Sequence, residues 1–256
     1  MIKTLKQIAP PLILAALLLA LWESTCRLGH LPVYLLPAPS AVGLALATDA
    51  PSLFASAWVT LSTALAALIL AALIAVPLAL LAALSPMIER AVQPIAVTLQ
   101  VTPIVAVAPL VVIWAGLEHP ERATTALAAL AAFFPLFSGA LTGLKSADPD
   151  LERLFDLYGA KPFQRLWRLR LPAATPFALE GLKVGVGLSV IGAVVAEISA
   201  GSGGSQGLAW RIMQTSQQLR TAETFASLAS LAILAVVLHA LTRFLEVQIL
   251  RNWRGR

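Results

Sequence analysis

Polar side chains are scarce in this 256-residue chain, so those that interrupt its apolar runs are the candidates for chemistry. Glu197 and Ser189 lie in "GLKVGVGLSVIGAVVAEI" (181–198). An ionisable residue within an apolar span is a functional candidate by default, and plain solvation near an interface is its alternative. A second set shares one segment: Gln93, Thr98, Gln100 and Thr102 with Pro94, Pro103 and Pro109. Prolines free backbone carbonyls, which a membrane protein tolerates where neighbours or a water-filled cavity satisfy them. Interrupted helices of this kind often border transport sites; a kinked packing helix is the competing account.

Enzyme chemistry finds little support. His30, His119 and His239 fall on separate segments, and no His, Cys, Asp or Glu cluster has metal-ligand spacing. Cys26 is the single cysteine, so an internal disulfide is excluded, and it reads as a small apolar residue near a helix end. The pattern G-x-x-x-x-G-K-[ST] is absent, and the glycine-rich "GSGGSQG" (201–207) is followed by no lysine. No nucleotide or other cofactor is expected in this chain.

The third set is a charge concentration. "YGAKPFQRLWRLRLP" (158–172) packs Lys161, Arg165, Arg168 and Arg170 between long uncharged stretches. With the preceding "ADPDLERLFDL" it reads as two short helices and a bend. Asp148 is an N-cap and Pro149 the first helical residue. Asp150 and Glu152 favour the helix dipole in the first turn. Gly159 ends the first helix in the left-handed conformation, Pro162 starts the second, and Pro172 limits its end. A basic amphipathic helix beside a membrane suits anionic lipid or a protein-docking surface, and local physics leaves both open.

The elements that must position these groups are membrane helices. The chain is 59% hydrophobic and 12% charged, about half the ~25% charge of soluble domains, with a mean hydropathy of +0.84. That composition implies an all-α integral membrane protein. The net charge of +5 does not point to nucleic acid, because the basic residues cluster between apolar runs. A spanning helix needs about 20 apolar residues, and six segments qualify, near 8–27, 55–84, 92–117, 123–144, 173–199 and 223–248. The first resembles a signal peptide but lacks a small-x-small cleavage site, so it reads as a retained span. The whole chain, 1–256, reads as one transmembrane domain with a charged loop at 145–172. Basic residues favour the side holding that loop and both termini, which places them in the cytoplasm. Glu180 with Lys183, and Arg243 with Glu246, stand three apart and read as helix-face ion pairs. The small residues Gly181, Gly185, Ser189, Gly192 and Ala196 form a stripe that permits close helix approach; it suits a subunit interface or a pathway lining.

Gly159-Ala160 followed at fixed distance by Leu171-Pro172 resembles the cytoplasmic coupling motif of ABC importer permeases. Arg153, Leu154 and Phe155 stand where that family carries Glu-Ala-Ala, with Glu152 adjacent. "LLPAPSAV" (35–42), "AVPLALLAALSPMIERAVQPI" (75–95), "TPIVAVAPLVVIWAGL" (102–117), "AAFFPLFSGALTGL" (131–144) and "GLAW" (207–210) are similar to the nitrate/sulfonate/taurine branch. The resemblance implies a type I importer-like permease with six spans. Its coupling loop would use Glu152, Arg153, Asp156, Gly159, Ala160, Arg165, Leu171 and Pro172. Implied partners are a second permease subunit (a homodimer), two cytoplasmic ABC ATPase subunits that bind the ATP, a periplasmic solute-binding protein, and lipid of the bacterial inner membrane. The pathway candidates are Thr98, Thr102, Pro103, Pro109, Ser189 and Glu197. The same branch takes up pyrimidine vitamin precursors, riboflavin and bicarbonate, so the solute stays open. An ATPase-independent channel and an intramembrane enzyme are the other classes considered.

Overall fold

The computed structural model describes residues 2–116, 119–199 and 206–254, and all regular elements among them are helices. In chain order they are α1 (Ile2–Leu28), α2 (Pro39–Thr48), α3 (Ala50–Leu84), α4 (Pro86–Val101), α5 (Ile104–Ala115), α6 (Pro120–Leu144), α7 (Pro149–Leu157), α8 (Pro162–Arg165), α9 (Leu171–Ser199), α10 (Leu208–Gln217) and α11 (Thr221–Arg254). A five-residue π turn, Leu166–Arg170, joins α8 to α9. Five stretches are long and apolar enough to cross a membrane, and α4 with α5 makes a sixth if the bent pair is one span. The expected "GSGGSQG" loop falls largely at 201–205, outside the described residues.

The centre of the bundle is α3, α6 and α9, and small residues determine how closely they pack. On α3 the buried alanines 64, 67, 71, 75, 79 and 82 recur every three or four residues, which makes one helical stripe. That stripe meets Ala128, Ala132, Phe133, Leu136 and Phe137 of α6, with Val186, Val190 and Ala193 of α9. Between α6 and α9 the approach is closer still. A Cβ on Gly181 would lie 2.6 Å from the Pro135 carbonyl oxygen, and one on Gly192 would lie 2.7 Å from Ala128 Cα. The small-residue stripe of α9 therefore seals an intramolecular seam. Its Gly181, Gly185, Ser189, Gly192 and Ala196 are buried within the chain.

Two expectations change and one takes a definite form. The proline-rich span at 92–117, read as an interrupted or kinked helix, is a broken pair: the axis bends by 103° between α4 and α5. Thr102 sits in extended conformation (φ −68°, ψ 125°) before Pro103, because the proline ring disfavours α geometry in the preceding residue. Pro172 does not end the second loop helix; the chain stays helical from Pro162 to Ser199. The π turn absorbs it, with the Leu171 N–H donating to the Leu166 carbonyl, so the ladder is already re-registered where the proline lacks its donor. The Arg243–Glu246 pair is replaced, because Glu246 faces α9 and takes Lys183, at 3.3 Å, together with the expected Glu180–Lys183 contact at 2.5 Å.

At the end of the bundle opposite the 145–170 loop, two short helices are strapped down by side chains. Glu23 of α1 accepts from the Ser40 N–H (3.0 Å) and hydroxyl (2.8 Å) at the start of α2. Asp49, between α2 and α3, pairs with Arg211 of α10 at 2.7 Å. Trp22 packs on Phe225 of α11, with ring centroids 5.7 Å apart. The Cys26 thiol is buried against the Leu36 carbonyl, 3.7 Å away. On α1, Ile13, Leu14, Leu17 and Leu18 stay uncovered.

Candidate functional site

The charged loop folds as a compact unit. Asp148 accepts from the Asp150 N–H at 2.8 Å and caps α7. Gly159 takes φ +61°, and the chain reverses in a Schellman motif: Gly159 N–H donates to Asp156 and Ala160 N–H to Phe155, each at 3.0 Å. Lys161 N–H then donates to the Gln164 side chain at 2.9 Å to start α8.

Glu152 becomes the centre of this unit. Arg170 Nε donates to its Oε1 at 2.7 Å, and Arg165 lies 3.2 Å from its Oε2. Arg165 also bonds Asp156. The network thus ties α7 to the start of the long helix, and Arg170 reaches on to the Ala83 carbonyl of α3 at 3.5 Å. Lys145 binds Glu89 at 2.7 Å, which fixes the end of α6 to the start of α4. Arg153, by contrast, is exposed, and its ion pair among the described residues is with Asp150, at 2.9 Å. Leu171 and Pro172 are half-buried beside buried Leu169. Outward from the network, Leu154, Leu157, Tyr158, Phe163 and Trp167 are exposed. A hollow of about 280 Å³ opens among Leu154, Phe155, Tyr158, Ala160, Gln164 and Arg168.

The intramembrane candidates separate into two places. Thr98, Pro103 and Pro109 are exposed along the broken pair. The Thr98 hydroxyl donates to the Pro94 carbonyl (2.8 Å) and that of Thr102 to the Thr98 carbonyl (2.7 Å). Both are i→i−4 bonds along α4, and the Thr98 carbonyl also accepts from the Thr102 N–H at 3.1 Å. Ser189 is buried and donates to the Val186 carbonyl at 2.9 Å, so its polar group is used within α9.

Glu197 is fully buried, not solvated at an interface. The N-terminus of α10 is pushed into the bundle, with Leu208 and Ala209 fully covered. Ala209 N–H donates to Glu197 Oε2 at 3.0 Å, and the Thr60 hydroxyl of α3 donates to Oε1 at 2.8 Å. The same hydroxyl accepts from Leu208 N–H at 2.9 Å. A carboxylate at a helix N-terminus satisfies donors that have no intrahelical partner and complements the helix dipole. Gly207 leaves room for it: a Cβ there would meet the carboxylate, and Glu197 would have to move away from its partners. Thr60 and Gly207 escape sequence reasoning. Thr60 stands 137 positions from Glu197, in a span whose other polar residues show no pattern that singles it out.

On the outward side of α9 and α11, a groove of about 730 Å³ is lined by Gly187, Val190, Ile191 and Phe244, with His239 and Arg243 as its basic groups. Among the described residues no group of three or more His, Cys, Asp or Glu could hold a metal ion.

Known proteins share this sequence pattern. Residues 75–254 match the family model described as binding-protein-dependent transport system inner membrane component. A probable ABC transporter permease protein of Haemophilus influenzae is 32% identical over 82% of this chain and 84% of its own length. A formylaminopyrimidine transport permease protein of Halalkalibacterium halodurans is 34% identical over 75% of this chain and 76% of its own. A putative aliphatic sulfonates transport permease protein of Bacillus subtilis is 29% identical over 95% of this chain and 87% of its own. The family match spans both the charged loop and the long helix that follows it, and with the broken span and the multi-span helical bundle it makes this chain a member of the binding-protein-dependent inner-membrane components, the permeases of ABC transporters.

Proposed function

We propose that two copies of this chain form the translocation pathway of an ATP-driven importer for a small sulfonate-type anion, with the 145–172 loop seating an ATPase subunit. The observation that carries this reading is mechanical continuity. The Glu152–Arg165–Arg170 network fixes α7 to the base of a helix that runs unbroken from Pro162 to Ser199. Force applied to the exposed Leu154, Tyr158 and Phe163 surface therefore enters a membrane-spanning rod of 38 residues, roughly 57 Å at 1.5 Å per residue. Rigid-body motion of such a rod against its neighbours is a standard route to alternating access.

In this reading the loop and both termini are cytoplasmic, and α2 and α10 face a periplasmic binding protein. ATP is held by the partner ATPase, and this chain needs no cofactor. Glu152, Asp156 and Arg165 shape the docking unit, Gly159 and Ala160 form its bend, and Leu171 and Pro172 root it in the membrane. Arg153, exposed, contacts the ATPase directly. The exposed face of Thr98, Thr102, Pro103 and Pro109 lines the pathway near its break. Ser189 and Glu197 support it from behind, because their polar atoms are already bonded within the chain. The sulfonate class follows the Bacillus subtilis sulfonate permease relative, whose match covers 95% of this chain; the pyrimidine permease relative supplies the second reading.

The test is co-expression with the genes adjacent to its own, followed by purification. The expected result is a copurifying ATPase whose hydrolysis rises with binding protein loaded with an alkanesulfonate such as taurine. Stimulation only by a formylaminopyrimidine selects the second reading, and absence of any ATPase partner rejects both.

A further inference from the structure

Glu197 stands behind the proposed pathway rather than lining it, and it is the charged group most completely removed from solvent among the described residues. It sits two residues before the far end of the 162–199 helix. Its carboxylate is the polar joint between that helix, α3 through Thr60, and the inserted start of α10 through Ala209. Burying a carboxylate in a membrane domain is unfavourable unless its partners are all in place. A buried polar network of this kind is directional: it holds one geometry, and a displacement of about an ångström breaks it.

The rest of α10 is braced to other elements. Arg211 pairs with Asp49, and the Thr224 hydroxyl of α11 donates to that of Thr215 at 2.9 Å. Leu219 turns the chain into α11 at φ +57°. α10 is thus a small plate at the far end of the bundle, and Glu197 is the α9 side chain that bonds its buried N-terminus.

We infer that Glu197 is the positioning residue that makes α10 move with α9, so that displacement of the loop end is delivered to the far-end surface formed by α10 and α2. Solute-loaded binding protein on that surface then acts on the ATPase through the same joint in reverse, as linkage between two sites requires. This inference rests on the importer reading above.

The experiment uses the purified complex of permease, ATPase and binding protein in lipid nanodiscs. It compares wild type, Glu197→Gln, Thr60→Val and Thr60→Ser. Glutamine and valine keep the shape of the joint but leave donors facing donors or unbonded, whereas serine retains the hydroxyl. The readout is ATP hydrolysis with loaded binding protein divided by basal hydrolysis. In Glu197→Gln and Thr60→Val this ratio should fall about fivefold or more, the lower end of coupling between linked sites, with basal hydrolysis unchanged. Thr60→Ser should keep the wild-type ratio. Equal ratios in all four proteins overturn the inference. So does a parallel loss of basal and stimulated hydrolysis, or failure of both Glu197→Gln and Thr60→Val to assemble, because each describes a purely structural group. A wild-type complex that ignores its binding protein defeats the importer reading instead, which keeps the two failures distinct.

Discussion

Two glycines on the same helix should respond to alanine with opposite signs. Gly181 faces α6, where an added Cβ would sit 2.6 Å from the Pro135 carbonyl oxygen and 3.1 Å from Gly139 Cα. Ordinary contact begins near 3.4 Å, so the shortfall is roughly 0.8 Å against backbone atoms that cannot rotate away. The two helices must separate, and overpacking of this kind costs about 1–3 kcal/mol. Gly187 lies six residues further on and has nothing within 4 Å of its added Cβ. Alanine there removes backbone entropy and should stabilise by about 0.5–1 kcal/mol. The assay is thermal unfolding of the isolated permease in detergent, read by loss of monodisperse protein. At ~2–4 °C per kcal/mol for a chain near this size, Gly181→Ala should lower the midpoint by several degrees and Gly187→Ala should leave it unchanged or raise it. Gly43, equally open on α2, is a second control. If Gly181→Ala is as stable as Gly187→Ala, the close α6–α9 seam is wrong, and with it the packing that orients the long helix.

Two further outcomes are expected. Glu152→Gln removes the negative charge shared by Arg165 and Arg170 and turns one of its two acceptor oxygens into an amide donor, so trypsin should cut at Arg165 and Arg168 faster than in wild type; equal cleavage rates would deny the network a role in ordering the loop. Pro103→Ala restores an N–H and releases Thr102 from the extended geometry, so spin labels at the exposed Val97 and Leu110 should move apart towards the ~20 Å of a straight helix. An unchanged distance would mean that packing, not the proline, sets the 103° bend.

What was legible in the sequence divides along physical lines. Apolar runs longer than a bilayer crossing gave the spans, and local turn chemistry gave the loop: Asp148 caps, Gly159 turns left-handed and Pro162 starts a helix as expected. These signals act over a few residues. Pro172 misled because a π turn upstream had already shifted the ladder, which no residue type advertises. Arg243–Glu246 misled because spacing along one helix says nothing about a competing lysine on another. The role of Glu197 depended on Thr60 and on the N-terminus of α10, and such non-local pairing leaves no local pattern. Within the loop, Glu152 was visible as a neighbour of the replaced Glu-Ala-Ala triad, but its two arginine partners emerged only from the fold.

In the proposed importer the loop passes ATPase motion into the membrane helices through the Gly159 bend. Gly159 holds φ +61° with open space around it, so a substitution acts on the backbone alone. Placing a β-branched residue in that conformation costs about 1–2 kcal/mol and opposes the Schellman bonds that aim α8. The decisive measurement is solute accumulated per ATP hydrolysed, in proteoliposomes of the whole complex, for wild type and Gly159→Val. Continued hydrolysis with a fall of about fivefold or more in uptake per ATP, as expected for a lost coupling between sites, is the predicted result. An unchanged ratio would contradict the account.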